Sequence, residues 1–333
     1  MTFSQIYNIM NQQNICVSVL VPVYNVEQYI ERCARSLFEQ SYDNIEYVFI
    51  DDCTPDNSIS ILNDVIKEYP NRKKSIRIIK HDINRGLAAA RKTATLCAKT
   101  EYIFHIDSDD YLELDCIELL CNMAAKTNAD MVISDFNLVY LNKKKPIITN
   151  ISGSSIEVAQ KFYIREYPAF IWGKLIRRKI IIDNSIFARE GLNISEDYVV
   201  IPRIAFYSNK IVKVDAVLYN YIKYNENSYT IRFDEKAIKS TIEAFKILSS
   251  FFLSKGRDNL DKHIIELSAI NNSITLLSVA KRSEYDLIRS LFSDFDLFSF
   301  PIEVKYKILL FLVKYRWFRI ARISIKIVKC LDF

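Results

Sequence analysis

Residues 16–23, CVSVLVPV, form an unbroken apolar run rich in β-branched side chains, and the run ends on the polar pair Tyr24-Asn25. A strand that is apolar on both faces belongs inside a parallel sheet covered by helices above and below. The chain around it supports that reading. Glu27–Gln40 follows as an amphipathic helix with Ile30, Ala34, Leu37 and Phe38 on one face. Ile45–Ile50 is a second strand that stops at Asp51-Asp52, and Asn57 stands where the cap of the next helix is expected. Ser75–Lys80, Leu87–Ala98 and Tyr102–Ile106 continue as strand, helix and strand. Such alternation predicts an α/β fold with a doubly wound, mostly parallel sheet. Residues 130–232 mix short strands with an acidic helix start at Ser195–Asp197, and the last hundred residues read as a helical C-terminal extension. The expected organisation is a catalytic domain over 15–232, with halves 15–110 and 111–232, followed by a helical region over 233–333.

Composition narrows the class. Half of the 333 residues are hydrophobic and 26% are charged, which fits a globular chain and not a disordered one. A net charge of +5 gives no reason to expect a nucleic-acid partner. The seven Cys are odd in number and no two have C-x-x-C spacing, so reduced thiols are expected and not a zinc site or disulfide framework. The start of the chain lacks a basic segment followed by an apolar run, and no apolar stretch reaches the roughly 18–20 residues of a spanning helix. The catalytic part is therefore expected in the cytoplasm.

In doubly wound sheets, ligands bind beyond the carboxyl ends of the strands. Here four successive strands end on polar residues: Pro22–Asn25, Asp51-Asp52, Asn84–Gly86 and Asp107–Asp110. Asp107-Ser108-Asp109-Asp110 puts three carboxylates within four residues. They repel one another unless a hard cation such as Mg or Mn neutralises them, and such an ion readily shares a substrate diphosphate. An acidic turn opening the next helix is the alternative. A carboxylate at Asp51-Asp52 can accept a hydrogen bond from the imide edge of a base, or it can build the turn before Thr54-Pro55-Asp56. Arg91 follows the Asn84–Gly86 turn and can face the base or the diphosphate. Glu196-Asp197 opens a later helix, where acids suit the helix dipole. With only three His in the chain, a carboxylate is the better candidate for a general base. Trp172 can stack on a sugar ring or sit in the core.

The ordered segments VSVLVPVYNVEQYIERCARSLFEQSY (17–42), VFIDDCTPDNS (48–58), NRGLAAARKTA (84–94) and YIFHIDSDDYL (102–112) resemble the family-2 inverting glycosyltransferases, with a glycosyltransferase A-type fold, of the bacterial polysaccharide-biosynthesis type. The likeness spans roughly residues 15–225. It implies that Pro22, Tyr24 and Asn25 border the nucleotide, that Asp52 reads the base, and that Arg91 and Ser108 lie near the nucleotide-sugar. It further implies a metal-binding D-x-D at Asp107 and Asp109 with Asp110 beside it, and Asp197, seconded by Glu196, as the catalytic base. Trp172 and Lys174 resemble the family's W-x-K segment on the acceptor side. The implied donor is a UDP-sugar. The implied acceptor is a glycan or polyprenyl-linked hydroxyl. Cys53-Thr54 departs from the small residues usual after the Asp pair.

The tail, Pro301–Phe333, interleaves eight Lys and Arg with Ile, Leu, Phe and Trp and holds only Glu303 and Asp332 as acids. Such a helix suits the inner face of an anionic membrane, or packs on its own protein with the charges in water. A catalytically silent binding member of the fold is weighed against by the presence of Asp52, the D-x-D and Asp197. A nucleotidyltransferase is weighed against because Pro22-Val23-Tyr24-Asn25 stands where a phosphate-binding glycine loop would be.

Overall fold

A computed structural model describes residues 15–192, 194–225, 235–255 and 262–331, with side chains to Lys326 in the last helix. The expected boundary at 232/233, Asp332 and the side chain of Lys329 lie outside what is described. The described chain divides into two compact units. One gathers residues up to Val158, Phe170–Asn193 and Arg203–Glu226; the other gathers Ala159–Ala169, Ile194–Pro202 and the chain from Asn227 onward.

The first unit carries the sheet. Its strands are β1 (Val17–Val23), β2 (Ile45–Asp51), β3 (Ile76–Lys80), β4 (Tyr102–His105), β5 (Tyr111–Leu112), β6 (Met131–Tyr140), β7 (Lys143–Ile147), β8 (Lys174–Arg177) and β9 (Ile211–Ile222). They are ordered β3-β2-β1-β4-β8-β6-β9-β5, with β7 on β6. The pairs β3-β2, β2-β1 and β1-β4 are parallel, as the alternation predicts. Beyond β4 the sheet becomes mixed: β8 runs antiparallel to both β4 and β6, while β6 and β9 pair in parallel through two register shifts. The helices over the same stretch of chain are α1 (Ile30–Phe38), α2 (Ser58–Glu68), α3 (Leu87–Cys97) and α4 (Cys116–Thr127). Every residue of β1 is buried, and each Val, Leu or Ile so removed from water stabilises the fold by about 1.5–3 kcal/mol.

The strand order fixes where a ligand crevice opens. From β1 the chain adds β2 and β3 on one side and then returns to add β4 on the other, so the switch point lies between β1 and β4. Leu20 C=O accepts from Ile106 N, which shows that the even-numbered residues of β1 face β4. Pro22 lies two residues further on, past the end of the β4 pairing, so its missing N–H breaks no ladder bond there.

Asn57 does occupy the N-cap position of α2, but its side chain makes no cap bond. Its Nδ2 donates to Glu27 Oε2 (3.1 Å), and Asp56 Oδ1 accepts from Ser58 N (3.2 Å) instead. The cap therefore comes from one residue earlier, which leaves Asn57 to tie the β1 and β2 loops together.

In the second unit, the helices are α5 (Ser155–Tyr163, by its C-terminal part), α7 (Glu196–Tyr207, by its N-terminal part), α8 (Glu235–Ser254), α9 (Lys262–Val279), α10 (Tyr285–Arg289), α11 (Val304–Lys314) and α12 (Phe318–Leu331). Between α5 and α7 in the chain, α6 (Arg178–Asp183) belongs to the first unit. Leu248, Phe252, Leu276, Phe292 and Leu310 are fully buried and form the apolar interior of the helical unit.

Candidate active site

Strand ends at the switch point carry the polar residues named above. On the β1 loop, Tyr24 is exposed and Asn25 takes a left-handed φ of 55°, while its N–H donates to Thr54 Oγ1 (2.8 Å). Asp56 receives Thr54 Oγ1 (2.6 Å), Ser58 Oγ (2.7 Å) and Glu27 N (2.8 Å) on its two oxygens. Thr54-Pro55-Asp56 thus joins the first two rim loops.

Asp52 is buried, and its carboxylate is engaged by the protein. Oδ1 accepts from Arg85 N (2.9 Å) and lies 2.6 Å from His81 Nδ1, while Oδ2 accepts from Gly86 N (2.7 Å). In the neutral imidazole this puts hydrogen on Nδ1, and Nε2 accepts from Thr93 Oγ1 (2.9 Å). Gly86, at φ 83°, opens α3 in a conformation that suits glycine. Asp52 is therefore the organiser of the Asn84–Gly86 turn. Its neighbour Asp51 uses Oδ1 to accept from Thr54 N (2.9 Å).

The D-x-D loop shows three different carboxylates. Asp107 Oδ1 pairs with Arg91 Nη2 at 2.7 Å, and Arg91 is itself buried, so α3 anchors the loop. Asp109 Oδ2 accepts from Asn225 Nδ2 (2.7 Å), and its C=O accepts from Arg32 Nη2 (3.0 Å). Burial, then the charge of Asp107, pushes the Asp109 carboxyl up to about 6. Asp110 is fully buried: Oδ1 accepts from Ile222 N (2.8 Å) and Oδ2 from the Tyr219 hydroxyl (2.6 Å). Burial and its two acidic neighbours hold its carboxyl well above the usual range. Ser108 is buried between them.

This geometry corrects the expectation that Asp110 serves the metal, because both of its oxygens are turned inward to β9. Among the described residues, no group of three or more His, Cys, Asp or Glu is placed to hold a metal ion. Asp107 and Asp109 remain. Two carboxylates fit an ion that takes its other ligands from water and a diphosphate. Asp109, crowded by a like charge, fits better than Asp107, which Arg91 already neutralises.

Trp172 is corrected as well. Its ring is 3% exposed and lies between Phe170 (4.4 Å, 9°) and Tyr219 (4.3 Å, 12°), with Phe136 edge-on at 5.0 Å. Both faces are covered, so neither is available to a sugar. Lys174 is likewise buried, and its Nζ donates to Phe170 O (2.6 Å). The W-x-K segment instead supports the D-x-D loop from beneath. Trp172 backs Tyr219, and the Tyr219 hydroxyl holds Asp110 and accepts from Asp107 N (3.2 Å).

Sequence reasoning missed Arg32, Tyr219 and Asn225, and it reads His81 as a loop residue near the rim. Arg32 also donates to Tyr224 Oη (2.6 Å) and lies 4.8 Å from the centre of the Tyr111 ring. The signal for His81 was present, because it follows β3 directly and faces the end of β2 through His81 N to Asp51 O (2.8 Å). His105 is a core residue, and burial with the nearby Arg91 charge pushes its imidazole well down.

In the second unit, Glu196 and Asp197 form the first turn of α7. Glu196 is 7% exposed, and Asp197 is only half-buried. Ser195 precedes them at φ 66°, with its Oγ 3.0 Å from Thr241 Oγ1, and Ser240 Oγ donates to Ile194 O (2.8 Å). Tyr198 donates to Tyr163 O (2.5 Å) and accepts from Asn272 Nδ2 (3.0 Å).

A parallel sheet with carboxylates at its switch point, continued by a mixed extension, is the arrangement of the glycosyltransferase A-type fold. The model of glycosyl transferase family 2 matches residues 18–181. The protein named "Putative glycosyltransferase EpsH" of Bacillus subtilis (strain 168) is 30% identical over 279 residues, covering 80% of this chain and 78% of EpsH. The chain belongs to glycosyltransferase family 2 and is a transferase of that family. Among solved structures, S. aureus TarS 1–349 in complex with UDP-GlcNAc shares the fold at a TM-score of 0.60 and 19% identity, over 95% of this chain and 92% of that one. Mannosyltransferase PcManGT from Pyrobaculum calidifontis, in complex with GDP-Man and Mn2+, does so at 0.51 and 14%, over 96% and 88%.

Proposed function

We propose that the chain transfers a hexosyl or N-acetylhexosaminyl group from a nucleotide-diphosphate sugar, a UDP-sugar foremost, to a hydroxyl of a glycan or polyprenyl-linked acceptor. The anomeric configuration inverts, and the product belongs to a cell-surface polysaccharide assembled at the inner membrane face. One observation carries the reading: the rim loops Pro22–Asn25, Asp51–Thr54, Asn84–Gly86 and Asp107–Asp109 stand together at the β1/β4 switch point. The UDP-GlcNAc complex of the similar TarS fold supports the donor class.

Pro22, Tyr24 and Asn25 would border the nucleotide. Asp52 would shape the turn against which the base lies. Arg91 would hold Asp107 in place beside the diphosphate. A Mn or Mg ion held by Asp109 and Asp107 would neutralise charge on the departing nucleotide. Asp197 is favoured over Glu196 as the base because it is the more exposed of the two. Its carboxylate takes the acceptor proton as the new glycosidic bond forms.

Asp197→Asn keeps the shape and removes the basicity. Turnover is expected to fall by about 10²–10⁴-fold, the usual worth of a general base, with donor affinity unchanged. Steady-state kinetics beside donor titration checks this. A variant with wild-type turnover would remove Asp197 from the role and make Glu196 the next residue to test.

A further inference from the structure

The turn between α11 and α12 presents an aromatic surface that the core does not use. Phe298, Tyr315 and Trp317 are each more than half exposed, and Phe311 joins them with ring centroids 6.5, 4.6 and 6.4 Å away respectively. Ile320 and Ile323 continue the strip along α12 from Trp317 at helical spacing, and both are more than half exposed. Ala321 and Ile325 of the same helix are buried. An exposed apolar strip of this extent marks an interaction surface.

Its charges indicate the partner. Arg319, Arg322 and Lys326 alternate with the isoleucines, are exposed, and have no acidic partner among the described residues. The acids nearby are engaged: Asp286 with Arg316 (3.1 Å), Glu303 with Lys305 (3.1 Å), and Asp296 with Phe298 N (3.1 Å). Lys307 and Lys314 turn their ammonium groups to the carbonyls of Phe298 (3.2 Å) and Phe295 (2.8 Å), on the same side of the helical unit. Aromatic and aliphatic side chains flanked by Arg319, Arg322 and Lys326 match a bilayer whose headgroups are anionic. A second copy of the chain would bring cations against cations.

We infer that Trp317, Ile320 and Ile323 enter the headgroup boundary of an anionic membrane while Arg319, Arg322 and Lys326 contact lipid phosphates. This deepens the membrane-side part of the proposed function, yet it stands or falls separately from sugar transfer. No described helix is long and apolar enough to cross a membrane, so the attachment is to the surface.

The chain has two Trp, and Trp172 is enclosed, so emission changes on vesicle addition report Trp317. Full-length protein is titrated with vesicles of phosphatidylcholine, alone or mixed with phosphatidylglycerol, while nucleotide-sugar binding is followed in parallel. The expected result is a blue shift with the mixed vesicles only, reversed by salt. Ile320→Ser/Ile323→Ser and Arg319→Glu/Arg322→Glu should each weaken partitioning by roughly tenfold or more with nucleotide binding intact. Equal binding to neutral vesicles, no shift with either kind, or a shift that follows protein concentration instead of lipid would overturn the inference. The last of these would assign the surface to a second copy.

Discussion

Asp52 shows how one side chain is read differently once its partners are known. From sequence it is a polar residue at a strand end, and replacing it is expected to leave the fold intact. In the structure it accepts from two backbone N–H groups and from His81 while buried. Truncating it strands those donors, at a cost of about 1–3 kcal/mol for each buried group left unpaired. Asp52→Ala is therefore expected to lower the denaturant midpoint as well as donor affinity. Equilibrium unfolding checks this, and an unchanged midpoint would show that water replaces the carboxylate. The rim carboxylates were legible from sequence because each ends an apolar run. Their division of labour was not. Asp107, Asp109 and Asp110 look alike in a string of letters, and Tyr219 and Asn225, which separate them, lie more than a hundred residues away. Trp172 was open between core and sugar platform until Phe170 and Tyr219 were found on its two faces.

At the scale of elements, β1 to β4 were readable to within a residue or two because buried parallel strands are continuous apolar runs with abrupt polar ends. The insertion of β8 between β4 and β6 was not, since a strand of four residues that starts at Lys174 and ends at Arg177 has no such signature. The start of α7 is a similar case. Periodicity separates the last hundred residues as an extension, yet Ile194–Pro202 groups with those helices. The link is polar: Ser195 to Thr241, Ser240 to Ile194 O, and Tyr198 to Asn272. Hydrophobic patterning is blind to such bonds. It follows that α8 positions the turn that carries Asp197. Thr241→Val keeps the volume and removes the hydroxyl that faces Ser195. Turnover is expected to fall by about tenfold through misplacement of the proposed base, with donor affinity unchanged and Thr241→Ser near wild type. If Thr241→Val lowers stability but leaves turnover per folded molecule unaltered, α8 has no positioning role.

The whole molecule comprises a sheet-bearing unit and a helical unit, and the helical unit has a buried interior of its own. Sequence left the tail as either a membrane-seeking helix or a packed one. Leu309, Leu310, Leu312, Val313, Ala321 and Ile325 are buried, so α11 and α12 are part of the core of their unit. The basic, aromatic side faces solvent. Removing residues 301–333 therefore takes away interior as well as surface, and surface substitutions are the proper way to separate attachment from folding. The central claim concerns the chemistry: an inverting transfer from a nucleotide-diphosphate sugar. Proton NMR of the purified chain with a donor selected by thermal stabilisation, Mn or Mg, and an acceptor glycan tests it most directly. The account predicts release of the nucleoside diphosphate and a new anomeric signal of configuration opposite to the donor's. A product that keeps the donor's configuration, or a chain that neither binds nor consumes any nucleotide-sugar, would contradict it.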